Sequence, residues 1–397
     1  MRAKEFRRLV HDLVRSGEAV PPRCRHAVEC GGCAFQDRAY PAQLAARRAA
    51  LERIFAEAGI AAATPTAAFE LIPSPDPFGY RTRMDYVATR GHFGLRARGR
   101  FNHVVDLEEC HLIPPEAFAA ARAVWAAARA LGLPDYDVRR HEGFLRYLVV
   151  RRSPDNELLL AAVTAAGEPE AAMERLATAA LEQPGVVGFH WLRNATLTDL
   201  SFGAPVRHWG AATLSMRVGC LRLAIGPNTF FQNNVHLLER LLDDVSAAVE
   251  PGARAAVADL YGGVGLMGLT LAPRVARVVC VEALEESAAL ARENAAANGI
   301  ANIEPVAADV GTYLRAQGPG AFDVAVLDPP RTGLGPDVCR ELLRVGPRRI
   351  IYVSCNPLTQ IEDLLALAPH YAARFLRGYD MFPHTPHVET LAVLDRA

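Results

Sequence analysis

Ile350-Ile351-Tyr352-Val353 runs directly into Ser354-Cys355-Asn356-Pro357, and this stretch sets the fold class of the 397-residue chain. Four consecutive apolar or aromatic residues predict a strand buried on both faces, and the Asn-Pro pair turns the backbone immediately after it. Cys355 is therefore expected at the carboxyl end of a strand. In open α/β sheets ligands bind at that rim, where loops surround a small molecule and strands hold the loops rigid. A lone cysteine is most often a small buried hydrophobe, so the weight on Cys355 comes from its neighbours.

Outward from this strand the sequence alternates. Strands are expected at 255–261, 277–281, 303–307, 322–327 and 350–353, with helices at 265–272, 285–298 and 337–345. Such alternation predicts a parallel sheet covered on both faces. Val235, Leu238, Leu242, Val245 and Val249 predict a preceding helix that Pro251-Gly252 ends. Residues 375–379 and 390–394 are expected as two edge strands.

Asp259-Leu260-Tyr261-Gly262-Gly263-Val264-Gly265 follows the first of these strands and opens a helix. Glycines there let a ligand approach the backbone, although a structural tight turn accounts for a lone Gly-x-Gly equally well. Glu282 ends the next strand, 23 positions on (282 minus 259), where a carboxylate can accept both ribose hydroxyls. A single ribose acid without a full Gly-x-Gly-x-x-Gly favours S-adenosylmethionine over a dinucleotide. Asp328-Pro329-Pro330-Arg331 leaves the apolar run 324–327 on the same rim as Cys355. An Asp-Pro-Pro turn also occurs in adenine amino-group methyltransferases, but those continue with an aromatic residue, and here Arg331 follows.

Composition is that of a soluble globular enzyme, with 51% hydrophobic and 22% charged residues. The length suggests two or three domains. A net charge of -1 excludes a polybasic tail but not a local basic face. Residues 1–20 lack the apolar core of a signal peptide, and no apolar run nears the roughly 18 residues that cross a bilayer. A cytoplasmic protein without a membrane partner is expected.

Cys24, Cys30 and Cys33 cluster early, and two glycines between the last two let their thiolates converge. Cys110, far along the chain after a strand, completes a set of four. Zinc and an iron–sulfur cluster both accept four thiolates, and His26 or His111 could replace one in a zinc site. Cys220, Cys280 and Cys339 lie in apolar stretches and are read as core.

Residues 71–225 form a strand-rich unit with helices near 116–131 and 169–181. Arg81, Arg83, Arg90, Arg96, Arg98, Arg100, Arg146, Arg151 and Arg152 are interleaved there with Tyr80, Tyr86, Phe93, Phe101, Phe144 and Tyr147. Basic and aromatic side chains together hold phosphates and stack bases. An ordinary sheet face with core aromatics has the same pattern.

The cysteine set, Phe230-Phe231-Gln232-Asn233-Asn234, Asp259-Leu260-Tyr261, Asp328-Pro329-Pro330-Arg331, Ser354-Cys355-Asn356-Pro357 and His387-Val388-Glu389 resemble, in this order, the uridine-5-methyltransferases of bacterial RNA. The resemblance spans residues 24–397. It is closest in pattern to the 23S ribosomal RNA enzymes that carry an iron–sulfur cluster and lack an N-terminal TRAM barrel. The transfer RNA branch, acting on the T-loop uridine, is the rival, and the cysteine cluster argues against it. A non-catalytic iron–sulfur RNA-binding protein is a further alternative, but it would need neither Cys355 nor Glu389. Gly262 departs from relatives that often carry cysteine there, and Leu266 from a common polar contact.

What the resemblance implies is specific. Cys355 is the nucleophile and Glu389 the base. Gln232, Tyr261, Glu282, Asp309 and Asp328 line an S-adenosylmethionine site, and Cys24, Cys30, Cys33 and Cys110 hold a [4Fe-4S] cluster. The expected organisation is a basic segment (1–23), a cysteine-cluster segment and helix (24–64), a mixed α+β RNA-binding domain (65–224) and a class I Rossmann-like methyltransferase domain (225–397). The expected partner is RNA, most specifically 23S rRNA, bound by a monomer, with no DNA partner.

Overall fold

A computed structural model describes residues 3–60, 69–249 and 255–397 of the protein. The expected helix stop at Pro251-Gly252 and the division between residues 64 and 65 lie outside the described residues. The chain opens with helices α1 (Ala3–Arg15) and α2 (Tyr40–Glu57), then a short strand β1 (Glu70–Ile72). Phe6, Val10 and Val14 recur every fourth residue, which lays one apolar stripe along α1. That stripe shares a core with Ala46, Ala50 and Ile54 of α2.

The middle of the chain is a seven-stranded sheet. In chain order it comprises β2 (Arg83–Thr89), β3 (His92–Ala97), β4 (Arg100–Asp106), helix α3 (Pro115–Ala130), β5 (Leu145–Arg152), β6 (Leu158–Thr164), helix α4 (Glu170–Leu181), β7 (Val186–Arg193) and β8 (Ala204–Gly210). The spatial order is β4-β3-β2-β5-β6-β7-β8. Only β6 and β7 run parallel, with α4 as their crossover. The faces of α3 and α4 that carry Val124, Trp125, Met173 and Leu176 bury one side of this sheet. A hairpin, β9 (Leu214–Val218) and β10 (Leu221–Ile225), follows.

Then come α5 (Leu238–Ala248), β11 (Ala256–Leu260), α6 (Leu266–Leu271), β12 (Arg277–Glu282), α7 (Glu285–Ala297), β13 (Ile303–Ala307) and α8 (Val310–Ala316). The chain finishes with β14 (Val324–Leu327), α9 (Gly335–Val345), β15 (Arg349–Ser354), α10 (Pro357–Leu367), β16 (Tyr371–Tyr379) and β17 (Glu389–Arg396). The eight strands of this second sheet are ordered β1-β16-β17-β15-β14-β11-β12-β13. Strands β11 to β15 pair in parallel, as the alternating pattern predicts.

Three features differ from expectation. Strand β17 is not at an edge. It inserts antiparallel between β15 and β16, and residues 389–394 are buried on both faces. The true edge is β1, which leaves the expected 65–224 unit to pair in parallel with β16. The β9–β10 hairpin also packs its Leu214, Met216 and Leu223 into the C-terminal core with Leu238 and Leu241, because alternate residues of both strands are apolar and the helices of that layer offer the matching face.

The two ends of the chain are pinned together by a buried ion pair. Arg47 of α2 donates to Asp380 through both terminal nitrogens at 2.5 and 2.8 Å, and both side chains are fully buried. Tyr40 donates to the same carboxylate at 2.6 Å. Removing one member of such a pair leaves an unsolvated charge, at a cost of about 3–5 kcal/mol, whereas replacing both with apolar residues costs far less. Arg47→Met should therefore lower the urea-unfolding midpoint more than the double change Arg47→Met/Asp380→Leu. Equal midpoints would show that the pair carries no such penalty.

Candidate active site

Register alone brings Cys355 to Glu389. Strands β15 and β17 pair antiparallel with Ser354 opposite Thr390, so the next residue of one strand meets the preceding residue of the other. The Thr390 hydroxyl lies 3.2 Å from the Ser354 carbonyl and 2.7 Å from Gln360 Oε1, and Gln360 Nε2 donates to the Tyr352 carbonyl at 2.9 Å. The turn after β15 is closed by Asn356, whose side chain accepts from the Leu358 amide at the start of α10, with Pro357 in the first turn. Asn356 Nδ2 also donates to the Arg331 carbonyl at 2.9 Å, which ties this turn to the Asp-Pro-Pro-Arg loop after β14.

Cys355 is half-buried and opens into a pocket with Phe6, Arg7, Arg331 and His387. Burial and the carboxylates of Glu389 and Asp328 push its thiol up to about 12, and the Arg331 guanidinium opposes them. Glu389 is 1% exposed, and its Oε1 lacks a hydrogen-bond partner among the described residues. Burial, then repulsion from Asp328, raise it well above the usual carboxylate range, against the Arg331 guanidinium. Asp328 is itself pushed up to about 7 by burial and Asp259, against a 2.8 Å hydrogen bond from Gln232 Nε2. Arg331 donates to His387 Nδ1 at 2.6 Å. Burial and Arg331 hold that imidazole down to about 3, so it accepts as a neutral ring.

A second cavity adjoins Asp328 and is lined by Phe230, Gln232, Asp259, Tyr261, Gly263 and Met267 among others. Its floor is the turn after β11, in which Tyr261 (φ 65°), Gly263 (φ 56°) and Gly265 (φ 88°) are all left-handed. A non-glycine residue held there costs about 1–3 kcal/mol, a strain that collects at ligand sites. Asp259 supports the turn from beneath, accepting from the Gly268 amide at 2.8 Å. Glu282 supports it from the side, accepting from the amides of Gly263 (3.0 Å) and Leu284 (2.8 Å). Gly262 has a local cause: a Cβ there would lie 2.3 Å from Cys280 Sγ, so the thiol on the neighbouring strand fills that space.

Of the residues expected around a cofactor, Gln232, Tyr261 and Asp328 line this cavity, and Glu282 is one hydrogen bond away. Asp309 is exposed and caps α8, accepting from the Thr312 amide at 2.9 Å. Sequence reasoning missed Asp259 as a support and Arg331 as the cation beside the nucleophile. The position of Arg331 in the same motif as Asp328 was the available signal.

Cys24, Cys30, Cys33 and Cys110 line a third cavity, together with Gly32, Gln36 and His111. All four are buried and reduced. Gln36 Nε2 donates to Cys33 Sγ at 3.1 Å, the Gly32 amide lies 3.4 Å from Cys30 Sγ, and Gln36 Oε1 accepts from the Cys24 amide. Burial is the main cause that raises all four thiols, Cys30 to about 11 and Cys33 to about 12. Among the described residues no three His, Cys, Asp or Glu converge closely enough to hold a single metal ion. His26 Nε2 is occupied by the Glu108 amide at 3.0 Å.

Several arginines expected to meet RNA are structural. Arg146 (2% exposed) donates to the carbonyls of Asn194, Thr196 and Thr198, and Arg151 (1%) to Gly226. Arg152 bonds Gly79 and Asn156, and Arg83 is spent on Asp85, Pro227 and Ser201. A guanidinium that satisfies buried carbonyls cannot reach a phosphate, so basic–aromatic interleaving here marks loop anchoring as much as binding.

The family model described as tRNA (Uracil-5-)-methyltransferase matches residues 214–316 and 319–397. An RNA methyltransferase of Nitratidesulfovibrio vulgaris is 37% identical, with 96% of this chain and 84% of that protein covered. A tRNA (uracil(54)-C(5))-methyltransferase of Pyrococcus abyssi is 33% identical, covering 96% of this chain and 88% of that one. The chain belongs to the RNA uracil-5-methyltransferase family. The crystal structure of the Pyrococcus abyssi tRNA (uracil-54, C5)-methyltransferase with S-adenosyl-L-homocysteine superposes with a TM-score of 0.76 at 30% identity, over 92% of this chain and 86% of that chain. The α/β methyltransferase fold of the family is therefore the fold of this chain. Among the described residues no helix is long and apolar enough to cross a membrane.

The electrostatics of Cys355 predict its reactivity. With a thiol near 12, the thiolate fraction should rise about tenfold per pH unit between pH 7 and 9. Alkylation of Cys355 by iodoacetamide, followed by peptide mapping to separate it from the exposed Cys220, should show that slope. Arg331→Gln should slow it at every pH by removing the stabilising cation. A pH-independent rate would contradict this account.

Proposed function

We propose that the protein transfers a methyl group from S-adenosylmethionine to carbon 5 of a uridine in RNA. The observation that carries this reading is the antiparallel register that sets Cys355 against Glu389 at the rim beside Asp328. Uracil carbon 5 is a weak nucleophile, and addition of the Cys355 thiolate to carbon 6 pushes electron density through the ring to carbon 5. Bound in the cavity beside Gln232, Tyr261 and Asp328, with Glu282 holding the ribose end, S-adenosylmethionine would supply an electrophilic methyl group. Carbon 5 takes that methyl, and the sulfonium sulfur keeps the bonding pair as a thioether. Glu389, in its ionised form, then removes the carbon 5 proton, and the electrons released expel the Cys355 sulfur from carbon 6.

The substrate reading favours transfer RNA over 23S rRNA. Relatives at 32–33% identity include tRNA (uracil(54)-C(5))-methyltransferases of three Pyrococcus species. One of them matches 96% of this chain, which leaves too few unmatched residues for the 24–110 cysteine region to lie outside the match. The cysteine cluster is therefore a weaker argument for ribosomal RNA than the sequence alone suggested.

Four cysteine thiols are the donor set that the family resemblance assigns to an iron–sulfur cluster, with zinc as the rival. A single zinc needs its sulfurs within about 2.3 Å of one point, whereas a [4Fe-4S] cluster takes one thiolate at each of four separated irons. Cys24, Cys30, Cys33 and Cys110 would hold it, and its part is to staple the cysteine loop to the end of β4, since methyl transfer needs no electron. Anaerobically purified protein should be brown and contain iron, and Cys110→Ser should lose both colour and iron. Zinc without iron in the wild-type protein would sink the assignment.

The catalytic assignment separates two residues. Cys355→Ala should abolish methylation and any covalent link to RNA. Glu389→Gln should still add and methylate, then stall with the sulfur on carbon 6, giving a slow band on a denaturing gel that requires S-adenosylmethionine. Labelled tRNA and rRNA compared side by side identify the substrate through the mapped 5-methyluridine. Normal turnover by Glu389→Gln would falsify the role given to that carboxylate.

A further inference from the structure

A groove leaves the nucleophile between α1 and the β3–β4 hairpin. It shares Arg7, Pro386 and His387 with the pocket of Cys355, so the two are continuous. Five arginines line it (Arg7, Arg81, Arg96, Arg98 and Arg100) against one carboxylate, Asp85. That carboxylate is already bonded by Arg83 at 2.8 Å and by Ser201 at 2.8 Å. In a chain of net charge -1, this excess concentrates positive potential along one path into the site.

At the far end of the path the Phe101 ring is 63% exposed. Arg96 holds it in place: the guanidinium carbon sits 4.1 Å from the ring centroid, and Nη1 donates to the Phe101 carbonyl at 2.7 Å. Asp199 anchors Arg96 in turn. Beside the ring, the Arg100 side chain is exposed and makes no ion pair or hydrogen bond among the described residues. A rigid exposed ring flanked by an uncommitted cation matches the pairing of stacking platform and phosphate contact that binds unpaired nucleotides.

We propose that this groove is the bed for a single-stranded RNA segment that delivers the target uridine. Arg7 of α1 and Arg100 of the hairpin hold phosphates at its two ends, and Phe101 stacks a base displaced along the strand from the one at Cys355. The proposal rests on the RNA methylation reading above. A single strand fits better than a duplex because the ring needs an unstacked base, and the target base must itself leave the stack to meet a thiol.

The test uses the full chain with a short fluorescein-labelled, uridine-rich oligoribonucleotide and with transcribed tRNA. Arg100→Glu/Phe101→Ala and, separately, Arg7→Glu should weaken binding of both probes roughly 5- to 100-fold. Each lost phosphate contact should flatten the plot of log affinity against log salt by about 0.7. Affinity for S-adenosylmethionine should stay at the wild-type level in the hairpin variant. Arg222→Glu, an exposed arginine on β10 outside the groove, should change nothing. Wild-type RNA affinity in the groove variants, with the wild-type enzyme active, overturns the groove and leaves the methyltransferase reading standing. Equal weakening by Arg222→Glu also overturns it, as a nonspecific effect of charge. A wild-type protein that neither binds nor methylates RNA overturns both.

Discussion

The insertion of β17 between β15 and β16 is the constraint on which the site depends. A strand period of two means that a one-residue slip turns every side chain to the other face, and here a slip would move Glu389 away from Cys355. The register is held from several sides. Thr390 meets the Ser354 carbonyl and Gln360, β16 pairs Tyr379 with Glu389 itself, and the loop between these strands is fixed at its start by the buried Arg47–Asp380 pair. That pair also explains why an N-terminal helix matters to chemistry at the C-terminus. It anchors the segment that carries His387 and hence the partner of Arg331.

The electrostatics of the free site are those of a resting state. Asp259, Asp328 and Glu389 crowd one rim, and the Arg331 guanidinium is the cation that offsets them at Cys355 and Glu389. Burial is the leading cause of these shifts, so the site disfavours charge on its thiol and on Glu389 while no substrate is present. A protonated thiol resists stray alkylation and oxidation, since the thiolate is the reactive form. Activation must then come from changes that favour charge. Arg331 is the fixed part of that balance, and it is restrained on two sides, by His387 and by the Asn356 amide held against its carbonyl.

Much of this was legible in the sequence because it depends on local pattern. The parallel strands β11 to β15 show as apolar runs of the right length, and the motifs sit at their carboxyl ends as a buried sheet requires. What was not legible depended on distant partners. Strand β17 looks like an edge strand until its pairing with β15 is known, and β1 is too short to announce the sheet it joins. The arginines were the hardest case. Arg146 and Arg100 occupy similar basic and aromatic surroundings in sequence, yet one is buried on loop carbonyls and the other projects into solvent. Helix α1 was legible in principle, since Phe6, Val10 and Val14 repeat every four residues, but its brevity and charge concealed it.

Gly262 and Cys280 show how such a site tolerates change. Gly262 places no side chain beneath the cofactor turn. Cys280 on the adjacent strand occupies the space a Cβ would need, 2.3 Å from its sulfur, and sits against Asp259. The volume beneath the turn is filled from the neighbouring strand instead of from the turn itself. Because packing at that point constrains total volume, a side chain at 262 competes with Cys280 for the same space. A cysteine placed at 262 with Cys280 retained would force the turn outward and disturb the Asp259 bond to Gly268, whereas Cys280→Gly removes the nearest clash and leaves the 3.0 Å approach to Asp259 Oδ2 to be relieved.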